Sequence, residues 1–83
     1  MMKDLYKDSI VMFKRTGNLY KILSSNCKMK HPETREWISA VVYQSFKTLS
    51  DSGEYVDDQE KKIWIREFQD FNKKFELTLK LWD

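Results

Sequence analysis

The chain is 83 residues long, carries a net charge of +2, and contains three Trp, four Tyr and five Phe. A chain of this length forms a single domain, 1–83, and its aromatic side chains must supply much of a small core. The lone cysteine, Cys27, excludes an internal disulfide and favours a reducing compartment. Because no secretory signal and no membrane-spanning apolar run is present, we expect a cytoplasmic protein without a membrane partner.

Two short apolar runs, residues 9–14 and 19–23, flank a turn sequence centred on Gly17 and Asn18. These two residues accept the positive φ that tight hairpin turns require, so the sequence predicts a β-hairpin over 9–23. The polar residues 24–30 either continue the second strand or form an exposed loop.

The segment His31-Pro32-Glu33-Thr34 precedes the most apolar stretch of the chain. Proline restricts its own φ and the residue before it, so we expect a turn in which His31 and Thr34 hydrogen-bond the backbone. Residues 37–46 alternate with apolar side chains on both faces, which is typical of a central strand.

The second half begins with a polar, acidic segment, 47–62, which predicts a long mobile hairpin loop with strand extensions at its ends. Residues 63–67 predict a fourth strand. Phe68, Phe71 and Phe75 recur at helical spacing and predict a short helix or 3₁₀ turn.

The tail, 76–83, alternates leucines with polar or aromatic residues and predicts a last strand. A single helix through 67–82 is the competing interpretation. Five short strands and one helical turn together predict a mainly β fold, a small, strongly bent antiparallel sheet or barrel.

The order of these blocks resembles domain-of-unknown-function family 1653, a small bacterial and phage family. The matching residues are Gly17, Tyr20, His31, Glu33, Thr34, Val41, Val42, Tyr43, Trp64, Arg66 and Phe71. The resemblance covers about residues 12–72 and implies an SH3-like small barrel with no established activity. Two departures stand out: the acidic insert 47–62 replaces a short loop, and Glu67 occupies the place of a proline.

The aromatic residues divide into two expected groups. Trp37, Trp64 and the phenylalanines have positions that suit a core. Tyr20, Tyr43 and Tyr55 are candidates for exposure, since a phenol keeps one end in water.

Catalytic and metal-binding patterns are weak in this sequence. Cys27, His31 and Glu33 could supply three metal ligands from one segment, but the chain has no further cysteine to complete a zinc motif. Phosphate-binding glycine loops are absent, and the only clustered carboxylates lie in the acidic insert. We therefore predict no enzyme activity, no metal and no cofactor. A small-molecule site at His31 and Glu33 is a third functional hypothesis, beside the protein-binding and nucleic-acid-binding hypotheses given below.

Charge is distributed unevenly along the chain. Residues 1–47 hold nine Lys or Arg against four Asp or Glu, whereas residues 48–83 hold six against nine. Together with the missing catalytic sets, this favours a non-catalytic interaction module that binds a protein. Because the resembled family occurs in phages, we expect a phage-encoded accessory protein that modulates a host protein, in the host cytoplasm. The predicted contact element is the acidic loop, through Asp57, Asp58 and Glu60, either as a partner for a basic host surface or as a nucleic-acid mimic.

The alternative function is nucleic-acid binding through the basic region 14–35, with bases stacking on tyrosines and phosphates meeting lysine and arginine. An uncovered sheet edge in so small a chain also predicts a homodimer. The binding residues predicted from sequence are Lys14, Arg15, Tyr20, Lys21, His31, Glu33, Tyr43 and Arg66.

Overall fold

The computed structural model of the protein describes residues 7–78. Its elements in chain order are β1 Ile10–Phe13, β2 Leu19–Lys30, β3 Trp37–Leu49, β4 Tyr55–Asp57, β5 Ile63–Glu67, α1 Phe68–Lys74 and β6 Phe75–Leu77. Strands account for 56% of this part of the chain, which confirms the prediction of a mainly β domain. No helix within it is long and apolar enough to cross a membrane.

The strands form one antiparallel sheet with β3 at its centre. The sheet order is β4-β3-β2-β1-β6, and β5 also pairs with β3. Strand β4 pairs with residues 47–49 of β3, and β5 pairs with residues 40–44 of the same strand. The two short strands therefore lie end to end along one edge of β3. The sheet curls into a half-barrel whose continuous path, β4-β3-β2-β1-β6, has five strands. This agrees with the expected small SH3-like antiparallel barrel.

Helix α1 joins β5 to β6, the strands at opposite edges of the half-barrel. It begins at Phe68 because the Glu67 carboxylate accepts hydrogen bonds from the backbone N–H groups of Gln69 (2.6 Å) and Asp70 (3.1 Å). The phenylalanine spacing therefore predicted the helix correctly. A single helix through 67–82 is wrong, since α1 ends at Lys74 and the chain returns to β6. The rest of the predicted tail strand, 79–83, lies outside the described residues.

The β1–β2 hairpin forms as predicted around Gly17. Gly17 has φ of +81°, and Phe13 N–H donates to the Asn18 carbonyl at 2.9 Å. The turn is also tied to the far end of the sheet. Asn18 Oδ1 accepts from Leu49 N–H at 3.0 Å, and the Tyr55 hydroxyl donates to the Gly17 carbonyl at 3.1 Å.

Strand β2 continues to Lys30, so residues 24–30 are strand and not loop. The pairing of β1 with β2 and of β5 with β3 does not extend to residues 27–39. There β2 and β3 pair only with each other and form an arm, hereafter the hairpin arm. The longest dimension of the domain is 43 Å.

The segment after Lys30 is the turn at the tip of this arm. His31 Nδ1 accepts from the Glu33 N–H at 3.1 Å, and Thr34 Oγ1 accepts from the Glu36 N–H at 3.3 Å. Arg35 N–H donates to the His31 carbonyl at 2.9 Å. The prediction of a turn held by His31 and Thr34 is therefore confirmed.

The acidic segment 47–62 is more ordered than a long loop. Its first residues extend β3 to Leu49, and Tyr55–Asp57 forms β4 against them. Two short connections remain, 50–54 and 58–62. The strand extension predicted at the start of this segment is confirmed, since residues 47–49 belong to β3. The prediction of a long loop through the rest is wrong, because the aromatic and β-branched residues Tyr55 and Val56 supply a strand inside the acidic run.

The core lies on the concave face of the half-barrel. Its buried members are Val11, Ile22, Val41, Tyr43, Phe71 and Phe75. Phe71 and Phe75 stack with ring centroids 4.2 Å apart and planes 6° from parallel. Phe75 also contacts the rings of Phe13, Tyr20 and Tyr43, with centroids 5.0 to 5.5 Å away.

Three aromatic residues are placed differently from the sequence prediction. Trp37 is 65% exposed because it lies on the hairpin arm, which has no core beneath it, and Trp64 is 47% exposed on the short edge strand β5. Tyr43 is only 3% exposed because it occupies the concave face of the central strand. Tyr20 and Tyr55 are half-buried.

Gly17 and Gly53 provide a matched test of this packing. Both have positive φ, but a Cβ on Gly17 would lie 2.9 Å from Leu49 Cδ2, whereas one on Gly53 would meet open space. We expect Gly53→Ala to cost about 1 kcal/mol for the backbone conformation alone. Gly17→Ala should cost somewhat more, about 1.5–2 kcal/mol, because the end of the Leu49 side chain must also move. Urea denaturation of the two variants measures the difference, and equal losses would contradict the Leu49 contact.

Candidate functional site

Two adjoining grooves lie on the concave side of the half-barrel. The first, hereafter the aromatic groove, has a volume of about 180 Å³ and is lined by Phe13, Tyr20, Tyr43, Trp64, Arg66 and Phe75. The second, hereafter the basic groove, has a volume of about 510 Å³ and is lined by Phe13, Lys14, Arg15, Arg66, Lys73 and Lys74. Because Phe13 and Arg66 line both, the grooves form one continuous surface.

Arg66 is fixed at the junction of the grooves. Its Nε–H donates to the Tyr43 hydroxyl at 3.1 Å, and its Nη1–H donates to Asp70 Oδ2 at 2.7 Å. The guanidinium carbon lies 5.7 Å from the centroid of the Phe75 ring and 6.0 Å from that of Phe13. Charge-assisted hydrogen bonds and ring faces together hold this cation in a single position.

The pKa values of Arg66, Asp70 and Tyr20 are shifted by the contacts of these side chains. Burial alone would lower the pKa of Arg66, but its hydrogen bonds to Tyr43 and Asp70 outweigh burial and raise that pKa. The hydrogen bond from Arg66 lowers the pKa of Asp70, assisted by Lys74. Burial raises the pKa of Tyr20, against the opposing effect of its hydrogen bond with Asn18. At neutral pH the Arg66–Asp70 pair is therefore charged, and the Tyr20 phenol is neutral.

The register between β1 and β6 assembles the basic groove. Phe13 pairs with Phe75, and the next backbone bond joins Lys14 N–H to the Lys74 carbonyl at 2.9 Å. The end of β1 is thereby held against the end of α1. Four cationic side chains from distant parts of the sequence meet in this way: Lys14, Arg15, Lys73 and Lys74.

One carboxylate offsets the charge of the basic groove. Asp70 pairs with Arg66 at 2.7 Å and with Lys74 at 3.3 Å. Within residues 7–78, Lys14, Arg15 and Lys73 have no ion pair. Five cations against one carboxylate leave the groove strongly positive.

The predicted basic and tyrosine set is only partly brought together. Lys14, Arg15, Tyr20, Tyr43 and Arg66 all line the two grooves.

Lys21 lies elsewhere, since its ammonium sits 5.4 Å from the Phe46 ring in a separate cleft. His31 and Glu33 lie at the tip of the hairpin arm. The structure thus divides the basic region 14–35 among three surfaces.

The carboxylates predicted to contact a partner are engaged within their own segment. Asp57 pairs with Lys47 at 2.6 Å, a hydrogen bond that lowers the pKa of Asp57. Glu60 pairs with Lys62 at 2.9 Å and raises the pKa of that lysine, while Asp58 accepts from the Glu60 N–H at 2.9 Å. The acidic segment therefore presents less free negative charge than its sequence suggests.

Within residues 7–78, β5 carries three consecutive exposed apolar side chains, Ile63 and Ile65 on one face of the sheet and Trp64 on the other. Ile63, Trp64 and Ile65 are 61%, 47% and 51% exposed. In the described part of the chain, β5 pairs only with β3. Its other edge has no partner strand among residues 7–78.

Backbone geometry fixes which β5 groups face that open edge. Ser45 N–H donates to the Lys62 carbonyl at 2.9 Å, so residue 62 faces β3. Because hydrogen-bonding direction alternates along an antiparallel strand, Trp64 and Arg66 also face β3. The N–H and carbonyl groups of Ile63 and Ile65 therefore point outward.

The residues considered for metal binding do not form a cluster. Cys27 is half-buried and its thiol donates to the Ala40 carbonyl at 3.1 Å, whereas His31 Nδ1 is occupied by the turn backbone. Among residues 7–78, no three His, Cys, Asp or Glu side chains lie close enough to hold a metal ion. The prediction of no enzyme activity stays a prediction.

Comparisons with protein-family models, curated proteins and solved structures found no match for this chain. The resemblance to domain-of-unknown-function family 1653 therefore stays a prediction, and the site must be interpreted from its own geometry. One departure from that family's pattern has a clear local effect: Glu67, in place of proline, caps α1.

Sequence reasoning missed Lys73, Lys74, Ile63 and Ile65 as surface residues of interest. The two lysines follow a phenylalanine-rich helix and become part of a site only through the β1–β6 pairing. The isoleucines fit the strand pattern, but only the sheet order shows that β5 lies at an edge.

The Arg66–Asp70 pair predicts a pH dependence of stability. Because the pKa of Asp70 is lower in the folded state than the ordinary value of 3.8, the pair stabilises the fold above that pH and this contribution is lost as the pH falls below it. We expect Asp70→Asn to be less stable than wild type at about pH 7, with the gap narrowing progressively as the pH falls below 3.8. Urea denaturation across this pH range measures the gap. The exposed Glu76 offers a control, Glu76→Gln, and a gap for Asp70→Asn that persists at low pH would argue against the ion pair.

Proposed function

We propose that this protein is a non-catalytic interaction module that binds another protein by strand addition to β5. The observation that carries this is the open edge of β5, where the outward backbone groups of Ile63 and Ile65 lie between exposed apolar side chains. An extended segment of a partner supplies complementary N–H and carbonyl groups, and its side chains cover the isoleucines.

The composition of β5 favours an edge that pairs with a partner strand over an edge that is protected from pairing. Sheet edges that must remain unpaired commonly carry charged residues, proline or bulges within the strand. The first three residues of β5 are Ile63, Trp64 and Ile65, its charged residues Arg66 and Glu67 are engaged within the domain, and its pairing with β3 has no register shift. The apolar part of this edge loses water favourably when another strand covers it.

This proposal moves the protein contact away from the position predicted from sequence. Asp57 and Glu60 each form an ion pair with a lysine of the same segment, so part of their charge is already matched within the chain. The isoleucines of β5 immediately follow this segment and have no such pairing.

The proposed setting is the cytoplasm, where the protein acts as an accessory factor that modulates its partner. The free thiol of Cys27, bonded to a backbone carbonyl and not to a second sulfur, suits a reducing compartment. Strand addition requires no cofactor and no chemical step.

Two proline variants test which backbone N–H groups of β5 face outward. This test does not require the partner to be known. Ile65→Pro removes an N–H that points to solvent, whereas Trp64→Pro removes one that bonds β3. We expect Trp64→Pro to lower the free energy of unfolding by about 2 kcal/mol or more, and Ile65→Pro to lower it by clearly less. If urea denaturation shows the reverse order, the open edge is assigned to the wrong residues.

A photo-crosslinking experiment tests the binding itself. A photoreactive amino acid at position 63, introduced into the full chain and expressed in the native cells, should form an adduct with one defined protein, identified by mass spectrometry. Ile65→Pro and Ile65→Lys should each reduce the adduct about tenfold, because the first removes an edge donor and the second places charge on the edge.

Val56→Lys is the matched control for this experiment. Val56 lies on the other short edge strand, β4, and is 51% exposed, the same fraction as Ile65. An adduct that Val56→Lys and Ile65→Lys reduce equally would refute binding at β5. An adduct with a second copy of this chain would identify the partner as the protein itself.

A further inference from the structure

The basic groove concentrates positive charge that the fold does not neutralise. Lys14, Arg15 and Lys73 are exposed and lack ion pairs within residues 7–78, while the Asp70 carboxylate is shared between Arg66 and Lys74. Like charges held close together repel, so an anion in this groove would be bound favourably.

Helix geometry explains only part of this cluster. Lysines in the last turn, here Lys73 and Lys74, interact favourably with the carbonyl end of a helix, so their presence alone does not imply a ligand. The same argument does not apply to Lys14 and Arg15, which follow β1. The Lys14 N–H is nevertheless bonded to the Lys74 carbonyl at the end of α1, so that Lys14 and Arg15 line the same groove as the two lysines.

The adjoining aromatic groove identifies the class of anion. Phe13 borders both grooves, and Tyr20 and the half-exposed Trp64 complete a set of ring faces beside the cations. Planar bases stack on such rings, while lysine and arginine contact the phosphates between them. An acidic peptide would use the charges and leave the ring faces unoccupied.

We propose that the joined grooves bind single-stranded nucleic acid, with phosphates on Lys14, Arg15, Lys73 and Lys74 and a base against the rings of the aromatic groove. This site lies on the concave side of the sheet and shares Trp64 and Arg66 with β5, whereas the strand-addition edge is formed by the outward backbone groups of Ile63 and Ile65. It also differs from the predicted basic region, because Lys21 and the hairpin arm take no part.

Arg66 has a positioning role in this site. Its guanidinium is already committed to Tyr43 and Asp70, so it holds the wall between the grooves and does not need to move when a strand binds. The local arrangement must supply the affinity, since the net charge of the whole chain is only +2.

Fluorescence anisotropy with a labelled oligothymidine of about 15 nucleotides tests the proposal directly. Binding should weaken by about 20- to 50-fold between about 50 and 200 mM NaCl, as expected when three or four phosphates are neutralised. An abasic oligomer of the same length should bind several-fold more weakly, because it retains the phosphates and lacks the stacking bases.

Charge-reversal variants locate the site. Lys14→Glu with Arg15→Glu, and separately Lys73→Glu with Lys74→Glu, should each weaken binding by at least about tenfold. Lys28→Glu with Lys30→Glu, on the hairpin arm, changes the net charge equally and should have little effect. Circular dichroism confirms that each variant is folded, and using two groove variants separates loss of the site from loss of the helix end.

Three results would overturn the proposal. These are no binding of the oligothymidine by the wild-type protein at low salt, equal losses in the groove and arm variants, and equal affinity for oligothymidine and polyglutamate. The last result would assign the groove to an acidic peptide.

Discussion

The stacked rings of Phe71 and Phe75 hold the domain together. A half-barrel exposes its concave face unless another element covers it, and α1 covers it here by inserting Phe71 while Phe75 begins β6. Truncating a buried phenylalanine costs about 3–5 kcal/mol, which is comparable to the whole stability of a small domain. Every feature of the grooves depends on this closure, because Phe75 contacts Phe13, Tyr20 and Tyr43.

The pairing of β6 with β1, which completes the core, also brings positive charges together. When Phe75 pairs with Phe13, the residues next to them in sequence, Lys74 and Lys14, must become neighbours. Their mutual repulsion opposes folding, whereas burial of the aromatic rings favours it by a larger amount. A hydrophobic contact therefore creates a surface that electrostatics alone would not assemble.

Much of the fold could be predicted from local chemistry. The Gly17–Asn18 turn, the turn after Lys30, the apolar pattern of β3 and the spacing of Phe68, Phe71 and Phe75 each depend on residues close in sequence. Such signals survive because backbone φ and side-chain period are set locally. The mainly β fold with one short helix follows from their order.

The failures arise where burial depends on neighbours distant in sequence. Trp37 and Tyr43 lie on the same strand and the same face, yet one is exposed and the other buried. The difference is that β5 and α1 cover the part of β3 around Tyr43, whereas only β2 accompanies Trp37. Alternation within a strand indicates the face of a residue but not whether another layer covers that face.

The candidate sites were the least predictable part for the same reason. Arg66, Lys14 and Arg15 were identified as binding residues, but Lys73 and Lys74 join them only through the β1–β6 register. Nothing in the local sequence 73–74 distinguishes a binding lysine from one that stabilises a helix end. Pairing partners, which no single sequence displays, decide which cations meet.

Glu67 connects the closure of the core with the open edge of β5. Its carboxylate accepts from two N–H groups of the first turn of α1, so the helix begins directly after the last residue of β5. The chain consequently leaves the sheet at this point and does not run back along β5. It returns as β6 at the opposite edge, beside β1. The cap of Glu67 thus favours the path on which Phe71 reaches the core and the outward groups of Ile63 and Ile65 have no partner strand within residues 7–78.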